Sequence, residues 1–189
     1  QSLLDPFCGS GGIVTEAAMM GLQATGIDNS SKAIADTVEN WNWLKSHTPI
    51  SSGSVRALAG DARQLHAQCE PLFFDACVSE PYLGPPQTRP LDPGRFDSMT
   101  KELVALYLRA LGEIRIVVKP GSRVVFVAPR FRLNGEKPFG SMPFLSEIKL
   151  QGYTLLNPLE NFQPSRGRQT LIYSRPKQVV QREIFVLQA

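Results

Sequence analysis

Long apolar runs are missing from this sequence. No stretch could cross a bilayer as a helix and no signal-peptide pattern opens the chain, so no membrane contact is expected. Cysteine is scarce. Cys8, Cys69 and Cys77 form an odd set with no CxxC pair and no cysteine–histidine metal spacing. Reduced thiols in a cytoplasmic protein are therefore expected, and a structural metal is not. His47 and His66 lack acidic neighbours at any informative spacing and are assigned no role. A large excess of one charge is also absent. The formal net charge of +3 does not by itself demand a nucleic-acid partner, although the arginines of the second half are unevenly placed. There is no internal repeat and no low-complexity tract. At 189 residues, the chain is long enough for one domain with a sizeable core.

What is present is organised around Leu3-Leu4-Asp5-Pro6-Phe7-Cys8-Gly9-Ser10-Gly11-Gly12-Ile13-Val14. A buried strand is expected to end at Asp5, the chain to turn through the glycines, and a helix to begin near Ile13. A loop without Cβ atoms lets a ligand approach the main chain, and the helix N-terminus offers free N–H groups. Since the first residues already read as a core strand, a further segment is expected upstream of residue 1.

The remaining elements follow in order. A first helix is expected over about 12–20, with Ile13, Ala17 and Met20 on one face and Met19 and Met20 as core filling. A strand over 24–28 leads to a helix capped by Asn29, Ser30 or Ser31 and running to about Lys45. Its Ile34, Val38 and Trp41 share a side, and Trp41 and Trp43 are read as packing residues. Strands follow over 55–59 and 72–78, the latter almost continuously apolar, as a strand buried on both faces should be. A proline-stiffened loop is expected over 83–98 and a helix over 100–118, with Leu103, Tyr107, Leu111 and Ile114 as its buried stripe. Pro120-Gly121 should turn the chain into a strand over 123–128. A helix near 139–151 and strands near 153–156, 170–174 and 183–187 complete the pattern. This alternation predicts an α/β fold, with a mostly parallel sheet, helices on both faces and an antiparallel edge.

In such sheets the ligand lies outside the carboxyl ends of the strands. Asp5, Asp28, Asp61 and Glu80 each fall at a predicted carboxyl end. Asp28 sits near the offset at which an acid meets ribose hydroxyls, and Asp61 could accept from an adenine amine. A nicotinamide dinucleotide fits poorly. Val14 occupies the place of the third small residue of that fingerprint, and Asp5 would face a pyrophosphate. A cofactor carrying an amine and a sulfonium suits an acidic rim better, which points to S-adenosylmethionine.

The stretch Asp5-Pro6-Phe7-Cys8-Gly9-Ser10-Gly11-Gly12 resembles motif I of class I methyltransferases acting on exocyclic amines, and most of all the THUMP-associated tRNA guanine-N2 methyltransferases. Gly26-Ile27-Asp28, Gly60-Asp61-Ala62 and Ser79-Glu80-Pro81-Tyr82-Leu83-Gly84 fall in that family's order and spacing. Gly167-Arg168-Gln169-Thr170 and Gln181-Arg182-Glu183-Ile184 are similar to its closing strands, though less specifically. The resemblance implies a single Rossmann-like methyltransferase domain over 1–189 with a seven-stranded sheet, and an RNA-binding THUMP half preceding it. It implies S-adenosylmethionine contacts at Asp5, Pro6, Cys8, Gly9, Gly11, Asp28, Asn29, Asp61, Ala62 and Ser79. Catalysis would fall to Ser79, Glu80, Pro81 and Tyr82.

The family's turn is Asp-Pro-Pro-Tyr, so here Ser79 takes the acid's place and Glu80 replaces the first proline. The expectation is that the Glu80 carboxylate and main-chain carbonyl accept from the amine, Ser79 assists, and Tyr82 stacks on the base. Arg89, Arg95, Arg130, Arg132, Arg166, Arg168, Arg175, Lys177 and Arg182 are candidate tRNA phosphate contacts, with Arg166 and Arg168 favoured for flanking Gly167 in a loop. Adenine-N6 methylation of DNA, guanine-N2 methylation of ribosomal RNA, and a cofactor- or RNA-binding module without catalysis remain open alternatives, with a dehydrogenase behind them.

Overall fold

Short apolar strands that run the same way must be joined by crossovers, and here the crossovers are helices that cover the sheet. The computed structural model describes residues 1–50, 52–134, 139–158 and 169–189. In order, the elements are β1 (Ser2–Asp5), α1 (Gly12–Met19), β2 (Gln23–Asp28), α2 (Ser31–His47), β3 (Ser54–Ala59), a 3-10 segment (Ala62–Ala67), β4 (Phe74–Ser79), α3 (Pro93–Val117), β5 (Val118–Arg132), β6 (Phe139–Gly140), α4 (Leu145–Leu150), β7 (Thr154–Leu156), β8 (Leu171–Tyr173) and β9 (Val180–Gln188). The sheet order is β3-β2-β1-β4-β5-β9-β7. The strands from β3 to β5 are mutually parallel, and β9 lies antiparallel between β5 and β7. The expected seven-stranded path is thus present, extended by two short strands, β6 beside β5 and β8 beside β9.

Alternation along β1 divides the core. Leu3 faces one layer, with Val14 and Ala17 of α1. Leu4 faces the other, with Tyr107, Leu111 and Ile114 of α3 and Phe126 of β5. Adjacent residues of a strand point to opposite faces, so both faces of the sheet are covered. Leu103, Tyr107, Leu111 and Ile114 are all buried, as their spacing required. Burying a side chain of this size stabilises the fold by about 1.5–3 kcal/mol.

Several expectations are corrected. α3 begins at Pro93, inside the stretch read as loop. Asp92 caps it by accepting from the Arg95 N–H, and Pro93 lies in its first turn, where a missing N–H costs nothing. The run of prolines concealed this start signal. The helix expected over 139–151 is instead β6 followed by the short α4, because Pro143 interrupts the helical pattern just before Phe144, the N-cap. Pro120-Gly121 does not end an element. It lies within β5, where Val118 pairs with Phe74 but Arg123 already pairs with Ala76, so the intervening residues loop out of register. The buried stripe of α1 is Val14, Ala17 and Ala18. Met19 and Met20 lie at its C-terminal end and are exposed. On α2, Thr37 and Trp41 are buried, whereas Val38 faces solvent and Trp43 is exposed, stacked on His47 at 4.3 Å.

Among the described residues no helix is long and apolar enough to cross a membrane. The three cysteines are free thiols, and burial pushes Cys8 up to about 12.

Candidate active site

The carboxyl edge of the parallel strands collects the acids. β1 ends on Asp5 and β2 on Asp28. Asp61 follows β3 by two residues, and Glu80 follows β4 directly. Their environments differ sharply, and the differences sort their chemistry.

Asp5 is buried, 1% exposed, behind the rim. Its Oδ1 accepts from the Ser79 hydroxyl at 2.7 Å and from the Phe7 N–H at 3.2 Å. Burial outweighs those two hydrogen bonds and raises its pKa to about 7. Asp28 is half-buried and ties the glycine loop to the start of α2. Oδ2 accepts from the Gly9 N–H at 3.0 Å, and Oδ1 accepts from the Ser30 N–H at 2.9 Å. A carboxylate offers about four lone-pair sites, so about two stay available to a ligand diol. Asp61 caps the 3-10 segment through the Arg63 N–H at 2.8 Å and also holds the Arg63 guanidinium at 2.6 Å. The Arg63 hydrogen bonds keep its carboxyl below the usual range.

The glycine loop is held from outside. Thr37 of α2 donates to the Gly9 carbonyl at 2.9 Å, and Asn40 donates to that of Ser10 at 2.9 Å. Gly11, the N-cap of α1, has φ +91, and a Cβ there would meet Thr37 Cγ2 at 2.7 Å, so any side chain would be both strained and crowded.

Glu80 is not an isolated carboxylate. Arg182 of β9 grips it in a bidentate pair, Nε to Oε2 at 2.7 Å and Nη2 to Oε1 at 2.8 Å. Pro81 is buried and Tyr82 is 56% exposed. The main chain beneath that tyrosine is fixed, because the buried Tyr107 hydroxyl donates to the Tyr82 carbonyl at 2.7 Å. The ring is therefore presented to solvent from a rigid base.

One cleft of about 550 Å³ unites these parts, lined by Pro6, Phe7, Asp28, Asn29, Gly60, Asp61, Ala62, Arg63, Glu80, Pro81, Tyr82 and Leu106. That volume lies within the range of small-molecule sites. Of the residues expected to hold a cofactor, Pro6, Asp28, Asn29, Asp61 and Ala62 line it. Asp5, Cys8, Gly9, Gly11 and Ser79 do not, and Ser79 is fully buried with its hydroxyl committed to Asp5. A second hollow of about 490 Å³, walled by Arg56, Leu58, Cys69 and Phe73, contains none of the rim acids.

Arg89 and Arg95 are exposed on and beside the proline-rich loop. Arg166 and Arg168 lie outside the described residues. Two contributions escaped sequence reasoning. Tyr107 was legible only as a core residue, and Arg182 only as a candidate phosphate contact on a closing strand. No local signal pairs Arg182 with a glutamate 102 residues earlier.

Residues 1–81 match the family model of the RMKL-like methyltransferase domain. Over 82 residues the chain is 37% identical to the tRNA (guanine(10)-N2)-dimethyltransferase of Methanothermobacter thermautotrophicus, covering 43% of this chain and 22% of that protein. Over 116 residues it is 29% identical to the enzyme of the same name from Pyrococcus abyssi, covering 61% of this chain and 33% of that one. The chain thus spans between a fifth and a third of the length of these curated relatives. Among solved structures, a SAM-dependent methyltransferase of Methanosarcina mazei superposes with a TM-score of 0.63 at 17% identity, covering 99% of this chain and 91% of that one. The fold is accordingly that of the class I, Rossmann-like methyltransferases.

Proposed function

We propose that this RMKL-like methyltransferase domain binds S-adenosylmethionine at the rim of β1–β3 and transfers its methyl group to the exocyclic N2 amine of a guanosine in tRNA. The observation that carries this reading is the single cleft joining Asp28 and Asn29, Asp61 and Ala62, and the Glu80-Pro81-Tyr82 turn. The choice of guanosine N2 in tRNA follows the two relatives, whose names specify that position.

The residues present suit such a cofactor. Asp28 keeps lone pairs for a ribose diol while its backbone partners fix its orientation. Asp61 is partly exposed, and its partner Arg63 is a half-exposed side chain that can swing aside for an adenine amine. The bound sulfonium supplies an electrophilic methyl group. The chain's own part is to orient the acceptor. The guanine amine is a weak nucleophile because its lone pair is delocalised into the ring. Tyr82, rigidly seated through Tyr107, stacks on the base and sets its plane. The Glu80 oxygens, each using one lone pair on Arg182, accept from the amine N–H groups and so leave its single lone pair more available. The proton displaced by methylation goes to solvent. Arg182 keeps that carboxylate aimed. Ser79 and Asp5 act behind the surface, where they hold the two strand ends together.

A second reading is a cofactor- and RNA-binding module without catalysis. It is favoured by the burial of Ser79, where the family has an acid, and by the engagement of Glu80 with Arg182. Incubation with isotopically labelled S-adenosylmethionine and tRNA, followed by nucleoside mass spectrometry, separates the two. Labelled N2-methylguanosine supports methyl transfer. Cofactor binding with no labelled nucleoside from any RNA supports the second reading.

A further inference from the structure

Beside the Pro81-Tyr82 turn runs a second groove, of about 560 Å³, between the loop Leu83–Thr88 and the turn that leads into β9. Its far wall is Lys177, Gln178, Val179, Val180 and Arg182. Arg182 also reaches Glu80, which lines the cofactor cleft, so the two hollows share a wall at that ion pair. The turn has a specific geometry. The Gln178 N–H donates to the Arg175 carbonyl at 3.3 Å, Pro176 is the first central residue, and Lys177 is the second with φ +66. That is the pattern of a type II turn, whose second central position favours glycine or asparagine. Lysine there carries backbone strain that a glycine would not. No ion pair to Lys177 forms among the described residues, and the side chain is exposed at the groove's lip.

A strained cation that adds nothing locally to the fold calls for a ligand. A base offered to a methyl donor must leave its stack, so the flanking sugar-phosphate chain crosses the protein surface next to the stacking aromatic. The groove begins where Tyr82 ends. Its other wall is stiffened by Pro85 and Pro86, so it is largely pre-formed. We propose that this groove seats the RNA backbone next to the target nucleotide, and that Lys177 contacts a phosphate of that strand. The proposal rests on the reading of the chain as an RNA-modifying domain.

The test uses Lys177→Gly, which removes the charge and the strain together, with Lys177→Arg, which keeps both. The probe is a short fluorescently labelled single-stranded RNA, titrated at several salt concentrations without any requirement for turnover. Lys177→Gly should melt at a higher temperature than the wild type yet bind RNA roughly five- to tenfold more weakly. Its log-affinity against log-salt slope should shrink by about 0.7, the loss of one phosphate contact. Lys177→Arg should retain both affinity and slope, and S-adenosylmethionine affinity should be the same in all three. RNA binding unchanged in Lys177→Gly, an unchanged salt slope, or no RNA binding by the wild type would each overturn the groove assignment. Failure of the catalytic reading has a different signature, namely RNA and cofactor both bound with no methylated nucleoside formed.

Discussion

The two sides of the cleft are built in different ways. On the side proposed for the cofactor, from β1 to the 3-10 segment, the acids are held by backbone N–H groups at loops and helix starts. Asp28 binds N–H groups of its own neighbourhood and of the glycine loop, and Asp61 caps the segment that follows it. On the side proposed for the substrate, each key group is held by a side chain from another element, β9 or α3. Glu80 is held by Arg182, and the Tyr82 main chain by Tyr107. The matched family model ends at residue 81, inside the Glu80-Pro81-Tyr82 turn. Backbone devices follow from a strand end and the turn after it, so they read as motifs. Side-chain devices leave no local pattern, and Ser79-Glu80, which stands where the resembled family has Asp-Pro, belongs with them.

The sharpest way to probe the interior shared by both sides is pH. The folded pKa of Asp5, about 7, lies above its ordinary value of 3.8. The unfolded chain therefore ionises first, and between about pH 4 and pH 7 the folded state binds more protons. Stability should fall as pH rises through that window and level off above it, by at most about 4 kcal/mol. Asp5→Asn, which mimics the neutral acid, should lack this slope. Denaturant unfolding of both proteins from pH 4 to pH 8 checks it, and parallel curves would contradict it.

Breaking the cofactor side comes next. Asp28→Ala removes a charged acceptor of ligand hydroxyls and unties the glycine loop, at a cost of about 3 kcal/mol in S-adenosylmethionine binding, or roughly a hundredfold. Calorimetry reads this directly. Breaking the substrate side should leave that affinity alone. Tyr82→Ala should cost about 2 kcal/mol in transfer to RNA, the worth of one stacked base, with cofactor affinity within about twofold of wild type. Full turnover in this variant would discard the stacking role. The smallest effect should follow Ser30→Ala. It removes the side-chain acceptor of the Ala33 N–H at the start of α2 and should lower stability by about 1 kcal/mol, measured by thermal melting.

The same contrast explains what the sequence disclosed. The order of β1 to β5, the stripe of α3 and the placing of Asp28, Asp61 and Glu80 at strand ends were legible, since each follows from periodicity or from a glycine-acid signal. The fate of each acid was not. Whether Asp5 faces a ligand or hides behind Ser79 depends on how deeply β1 sits between β2 and β4, which no local pattern records. The start of α3 at Asp92-Pro93 was readable in principle but was masked by the surrounding prolines. Trp43 and Met20 were misplaced because apolar character says a residue can be buried, not that a neighbour exists to bury it.

The central claim is that the cleft separates a donor-binding rim from a base-presenting turn. Calorimetric titration of S-adenosylmethionine into the wild type, Asp28→Ala and Tyr82→Ala tests it most directly. The account predicts saturable binding to the wild type and to Tyr82→Ala, with Asp28→Ala weakened roughly a hundredfold. Equal affinity in all three proteins, or no binding by the wild type, would contradict it.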